Sequence, residues 1–175
     1  MPANQTIILV PFERRHLDQA RLWLNDPALM RLLDRARPIA ELEHEEWFKR
    51  LHEQKDTIFF AVETIEPERH IGTIWLYNID WRHRKAEVRV VIGEPSAIGQ
   101  GHGTEAITSL CDYAFSRLNL HRLYAYVLDI NPRARRAFEK SGFSLEGVLK
   151  ADRWADDHYC DVFLLGIIRA HDVPH

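Results

Sequence analysis

Three glycines, Gly99, Gly101 and Gly103, stand between an apolar run, Val88 to Ile92, and a helical pattern. In that pattern Ile107, Leu110, Cys111, Ala114, Phe115 and Leu118 recur at the spacing of one helix face. The order over residues 93–118 is therefore strand, glycine loop, helix. Glycine accepts positive φ and carries no Cβ, so such a loop can aim several backbone N–H groups outward at the positive end of the helix dipole. That arrangement suits an anion, phosphate best. A tight turn that needs glycine for its own geometry would explain the same spacing, so the triplet alone does not name a ligand. A second informative stretch, NPRARRAFEKSGF, opens at Asn131 and Pro132, a capping residue and a residue suited to the first helical turn, and Gly142 is placed to end that helix.

The elements that must position these residues follow from period and punctuation. Thr6 to Phe12 reads as a strand, and from His16 a helical pattern runs to Asn25-Asp26-Pro27, followed by a short helical piece, Ala28 to Leu33. Glu41 to Gln54 reads as an amphipathic helix with Leu42, Trp47, Phe48 and Leu51 inward and Glu41, Glu43, Glu45 and Glu46 outward. The period then changes: Thr57 to Thr64, His70 to Ile79 and Ala86 to Gly93 read as strands with short links, hence antiparallel hairpins. After the glycine loop and its helix come a strand, Arg122 to Leu128, a helix from Pro132 to about Ser141, and strands Phe143 to Trp154 and His158 to Ile168. The fold class is α+β: a mixed, mostly antiparallel central sheet of about seven strands, flanked by helices on both faces. Residues 1–170 are expected to form one domain, and 171–175 a tail.

At 175 residues the chain is long enough for one well-buried core and short for two. A formal net charge of −3 provides no global positive field for nucleic acid or an anionic membrane, so a neutral or cationic small partner fits better. Two cysteines allow at most one bridge, and Cys111 falls on an apolar helix stripe, which favours a buried thiol in a reducing compartment. No basic leader and no apolar run of bilayer length occurs, so the expected location is the cytoplasm. Ten histidines are scattered without HExxH or paired-cysteine spacing, and no metal is expected.

A strand, then IGQGHGTEA, an amphipathic helix, a strand, and then NPRARRAFEKSGF: in that order the chain resembles the GNAT superfamily of N-acetyltransferases. Within it the likeness is to the branch with ribosomal-protein alanine, spermidine and amino-sugar acetyltransferases, and it is most specific from Glu87 to Gly147. The resemblance implies acetyl-CoA as cosubstrate. Its pyrophosphate would be held by backbone N–H groups of Gly99, Gln100, Gly101, His102, Gly103 and Thr104, and its pantetheine arm would lie along Val91, Ile92 and Gly93 and meet Asn131. Two positions depart from the family pattern: Ile98 stands where a Gln or Arg often begins the loop, and Phe138 where many members carry the tyrosine thought to protonate the leaving thiolate.

Acetyl transfer to an amine needs the amine neutral, and a lysine-type amine has a pKa near 10.4. A proton acceptor is therefore required. Glu87, entering the strand before the loop, is the first candidate for the base; a structural carboxylate at a strand end is the competing reading. Asp80 and His83 are held in reserve. With Phe138 unable to donate, the thiolate would leave through water or unprotonated. A covalent cysteine route is disfavoured, which leaves direct attack in a ternary complex. Trp47, Trp75, Tyr77 and Trp81, with Asp152, Asp156, Asp157 and Asp161, could favour a cationic amine if they line the acceptor cleft; a hydrophobic core and a solvated acidic turn explain them otherwise. The acceptor is either a small cationic amine or a protein N-terminus, and a homodimer is a possible assembly. An acyl-CoA-binding module without chemistry is the competing class, made credible by Phe138.

Overall fold

The computed structural model describes residues 5–155 and 157–170. Its elements run β1 (Ile7–Pro11), α1 (Arg14–Leu24), α2 (Pro27–Leu32), α3 (Glu41–Leu51), β2 (Ile58–Thr64), β3 (Arg69–Asp80), β4 (Lys85–Ile92), α4 (His102–Ser116), β5 (Arg122–Leu128), α5 (Pro132–Lys140), β6 (Ser144–Ala155) and β7 (His158–Ile168), with a 3₁₀ turn at Pro95–Ala97. The strands form one sheet in the order β1-β2-β3-β4-β5-β7-β6. Every neighbouring pair is antiparallel except β4 and β5, which run parallel. This is the expected mixed α+β sheet.

Alternation along the strands divides the sheet into two faces. Phe60 and Val62 of β2, Ile74 and Leu76 of β3 and Leu123, Ala125 and Val127 of β5 pack with Ile107, Leu110, Cys111 and Ala114 of α4 and with Phe138 of α5. Phe12, Leu17 and Ala20 at α1, Ala61 and Phe59 of β2, and Trp47 and Phe48 of α3 form a smaller cluster. Burying this apolar surface is the main force holding helices to the sheet. Among the described residues no helix is long and apolar enough to cross a membrane.

One inward position on α3 differs from the sequence expectation. Leu42 is 66% exposed, whereas His44 is buried and its ring stacks on Trp47 at 5.1 Å. Trp47, Phe48 and Leu51 set the orientation of the helix, and 44 lies three, four and seven residues before them, on the same face. Leu42 has the right chemistry and the wrong angle.

Helix α1 is tied down by a buried polar set. The Glu13 N–H donates to His16 Nδ1 at 2.9 Å, so the ring carries its hydrogen on Nε2 and donates it to Glu63 Oε1 at 2.9 Å. Arg15 Nη1 reaches the same oxygen at 2.8 Å. His16 and Glu63 are 1% and 3% exposed, and their mutual hydrogen bonds offset the cost of burying them.

Candidate functional site

The parallel ladder between β4 and β5 is short. Lys85, Ala86 and Glu87 pair with Arg122, Leu123 and Tyr124, and no further pairs follow. Beyond Glu87, β4 stays with β3 as far as Ile92, while β5 stays with β7 as far as Leu128. The two strands therefore part, and Val88 to Ile92 have backbone groups on one side without a β5 partner. A buried strand edge left open in this way needs hydrogen-bond partners from elsewhere.

Two cavities occupy the opening and share Leu32, Leu33, Val90, Asn131 and Ala134 along their common boundary. The first, about 360 Å³, is lined by Val90, Val91 and Ile92, by Ile98, Gly99 and Gly101 to Thr104, and by the α5 face that carries Arg133, Arg136 and Lys140. Gly99 and Gly101 have φ of +82° and +90°, and a Cβ at either would meet nothing within 4 Å. Conformation requires glycine there, and the space beside the loop is open. Gly101 caps α4 without a side-chain hydrogen bond, and its carbonyl accepts from Glu105 N–H at 3.1 Å. The N–H groups of His102, Gly103 and Thr104 precede that first bond and point to the positive end of the dipole. Glu105 itself is occupied by Thr6 N–H at 2.8 Å and Ile7 N–H at 3.1 Å, which ties β1 to the helix start.

Asn131 lines both cavities; its Oδ1 accepts from Ala134 N–H at 3.1 Å and so caps α5. Gly93 and Gln100 line neither cavity. The Gly93 N–H is committed to Ile71 O at 3.0 Å, so it is not available to a ligand, and the residue is glycine because Trp23 leaves no room for a Cβ. The basic face of α5 was not singled out from the sequence, although Arg133, Arg136 and Lys140 recur at the spacing of one helix face.

The second cavity, about 320 Å³, lies toward the narrow end of the opening and includes Glu87, Arg89, Trp75, Tyr126 and Phe138. Glu87 is 5% exposed, faces Tyr77 on β3 and Tyr124 on β5, and accepts from Arg89 Nε at 2.6 Å through Oε1. The Arg89 guanidinium lies 4.1 Å above the Tyr77 ring, which fixes it in turn. Burial, and then the Glu87 charge, push the Tyr124 phenol above the usual tyrosine range. Phe138 is buried against Phe143 at 5.0 Å and has no proton to give.

The reserve candidates do not reach either cavity. Asp80 accepts from His83 N–H at 2.9 Å and pairs with His83 Nδ1 at 2.8 Å, and these bonds hold its carboxyl below the ordinary range. Cys111 is buried, which pushes its thiol up to about 12, so it is not a nucleophile near neutral pH. Among the described residues no group of three or more His, Cys, Asp or Glu could hold a metal ion. Among the described residues the acidic side chains Asp152, Asp157 and Asp161 do not line the second cavity either. Asp161 is bound by Lys150 Nζ at 2.7 Å and Ala151 N–H at 2.9 Å, Asp152 pairs with Arg153, Asp157 is exposed, and Asp156 lies outside the described residues. Trp47 is in the smaller core cluster, and Trp81 is exposed with its Nε1 donating to Lys55 O at 3.0 Å. Of the four aromatics, Trp75 alone lines the cavity.

An opened strand pair with an N–H cradle at its wide end and a carboxylate at its narrow end is the arrangement that a transferase reading a phosphorylated donor requires. The chain belongs to the GNAT acetyltransferase family, whose domain model matches residues 6–144. It is 34% identical over 130 residues to a spermidine N(1)-acetyltransferase of Vibrio cholerae, covering 74% of this chain and 73% of that protein. It is 31% identical over 160 residues to the Escherichia coli K12 spermidine N(1)-acetyltransferase, covering 91% of this chain and 84% of that one. The crystal structure of the Vibrio cholerae spermidine N-acetyltransferase in complex with CoA and spermine superposes with a TM-score of 0.86 at 29% identity, over 95% of this chain and 98% of the other. The chain is thus an N-acetyltransferase with acetyl-CoA as its cosubstrate, and not a binding module without chemistry.

The residues present fit that donor. The loop N–H groups and the α5 cations offer donors of the right charge for phosphates, and the unpaired β4 edge offers backbone partners for an amide-bearing arm. When bound, acetyl-CoA supplies an acetyl group already activated as a thioester.

Proposed function

We propose that this N-acetyltransferase acetylates the primary amine of a small molecule by direct attack in a ternary complex, with Glu87 taking the proton from the amine. The observation that carries the reading is the placement of Glu87: it is the last paired residue before β4 and β5 separate, and it borders the cavity that abuts the loop cavity. Arg89 holds one carboxylate oxygen, leaving the other oxygen for the acceptor. Near neutral pH only about one lysine-type amine in a thousand is uncharged, so a base within reach matters. A cavity of about 320 Å³ suits a small molecule better than a folded protein terminus, and the relatives named for spermidine are small-amine enzymes by name. Residues 1–170 work as one catalytic domain in this reading. The two buried cysteines, neither in a disulfide, support a reducing compartment such as the cytoplasm.

Glu87→Gln keeps the shape and removes the base. Thiol release from acetyl-CoA, followed over a panel of amines, is expected to fall about a hundredfold in kcat with the KM for acetyl-CoA little changed. An unchanged kcat on the best acceptor overturns the assignment of Glu87. Self-association belongs to the same proposal, since a Vibrio cholerae relative is described as dodecameric. Trp154 and Tyr159 are 59% and 65% exposed, with rings 5.0 Å apart on β6 and β7, and offer an apolar contact patch. Light scattering is expected to give at least a dimer, and a monomer at every concentration sinks that part.

A further inference from the structure

The charge on the acceptor wall narrows the class of amine. Five charged side chains line this cavity: Asp34, Arg35, Glu87, Arg89 and Arg153. Four of them are matched across it, Glu87 with Arg89 at 2.6 Å and Asp34 with Arg153 Nε at 2.9 Å. Arg153 also takes Asp152, which lies outside the lining. Arg35 is left over. Among the described residues no carboxylate lies within ion-pair distance of its guanidinium, and its Nε is buried with no hydrogen-bond partner. Glu43, whose field reaches Arg35, is held through both oxygens by Arg37, each at 2.8 Å. Burial holds the Arg35 guanidinium below the usual arginine range, yet a guanidinium keeps its charge. Arg35 is half-buried, and a buried N–H of a cation without an acceptor marks where an anion would be stabilised.

The same wall gives nothing to a polyamine. After attack by one amine, spermidine or spermine keeps further ammonium groups, and each would need a carboxylate. Both carboxylates of the lining are already paired with arginines.

We propose that the acceptor is a small primary amine carrying its own carboxylate, an amino-acid class compound, with the carboxylate docked on Arg35 and the amine turned to Glu87. The inference rests on the small-amine reading above and sharpens its substrate. Such an acceptor binds as a zwitterion, its carboxylate opposite Arg35 and its ammonium opposite the free oxygen of Glu87, which takes one proton before attack. Leu24, Leu33, Trp75, Leu128 and Val162 border the same cavity, which suits an apolar side chain. The atoms balance as in the family reaction: one ammonium proton passes to Glu87, the N–C bond forms, the C–S bond breaks as the thiolate departs, and the second N–H proton leaves to water or to that thiolate.

The test uses the full chain with acetyl-CoA and matched acceptors that differ in one charge: leucine and leucinamide, methionine and methioninamide, with spermidine, spermine and a short amidated peptide alongside. Wild type is expected to favour each acid over its amide about ten- to a hundredfold in kcat/KM, the range for a charge-assisted hydrogen-bonded pair. In Arg35→Gln that ratio is expected to collapse toward one, and in Arg35→Lys to survive in part. Equal rates for acid and amide in wild type, a preference for a polyamine or the peptide, or a uniform loss in Arg35→Gln with the ratio retained would each overturn the carboxylate site while leaving small-amine acetylation standing, the peptide result excepted. Turnover of no amine in the panel overturns both.

Discussion

Gly93→Ala tests whether the first helix and the opened strand are one mechanical unit. A Cβ at position 93 would stand 2.1, 2.2 and 2.7 Å from Cδ2, Cγ and Cε3 of Trp23. Ordinary contact begins at 3.4 Å, so the indole must retreat by about 1.3 Å or Gly93 must move by as much. Neither is easy. Trp23 is 5% exposed with its ring 4.7 Å from His70, and Gly93 is held to Ile71 by its N–H. Overpacking of this kind costs about 1–3 kcal/mol, which for a chain of this size lowers the melting temperature by roughly 3–10 °C. The function should respond with the stability, because Leu24 follows Trp23 directly and lines the acceptor cavity, while Leu32 and Leu33 border both cavities. The assay is a four-chain cycle of wild type, Gly93→Ala, Trp23→Leu and the double variant, each melted and each assayed for both KM values. Trp23→Leu alone leaves a cavity and destabilises, but in that background Gly93→Ala should cost less than about 0.5 kcal/mol, giving a coupling above about 1 kcal/mol. The acceptor KM should rise in Gly93→Ala. A melting temperature within 1 °C of wild type, or an equal cost of Gly93→Ala in both backgrounds, would refute the packing account.

Two further outcomes are expected. Replacing Arg133 and Arg136 together by alanine should raise the KM for acetyl-CoA about three- to tenfold at low salt, with the difference shrinking as ionic strength rises; an unchanged KM in dilute buffer would remove the α5 face from donor binding. His70 is pushed down to about 4, first by burial, with His16, Glu63 and Arg15 facing it. Its folded pKa lies below the unfolded value of about 6.5, so only the unfolded chain gains a proton as pH falls. Stability is therefore intact above about pH 6.5 and declines toward pH 4, by about 1–2 kcal/mol once solvent screening is allowed for. His44, also shifted down by burial, adds in the same direction. Melting curves from pH 7.5 to 4.5 should show a shallower decline in His70→Gln; identical slopes would show that the ring is not kept neutral by the fold.

What the sequence disclosed and what it hid divide along a physical line. The elements around the proposed donor cradle were legible because their requirements are local. Gly99 and Gly101 are glycines on account of their own φ, Asn131 caps the helix it begins, and the α4 stripe has the period of its own element. The seven strands and five helices were legible for the same reason. The resemblance places Gly93 along the pantetheine arm, but what requires glycine there is an indole seventy residues earlier in the chain. Leu42 was read as inward because its side chain is apolar, while the angle set by Trp47, Phe48 and Leu51 buries His44 instead. No local spacing contains either fact.

The acceptor half could not be read this way at all. Its charged wall takes Asp34 and Arg35 from the turn after α2, Glu87 and Arg89 from β4 and Arg153 from β6, brought together by the sheet order and by the packing of the segment after α2 on the opening. This division also governs what passes between relatives. A donor site built from backbone N–H groups and an open strand edge tolerates most side-chain changes, and the fold that would carry it superposes with a TM-score of 0.86 at 29% identity. An acceptor site built from side chains can reverse its preference through one unpaired guanidinium, because a single buried charge without its partner outweighs many neutral contacts. The relatives' names therefore fix the transferred group more firmly than the receiving one. In the carboxylate-acceptor proposal it is Arg35, lining the second cavity with its Nε unsatisfied, that selects the receiving amine.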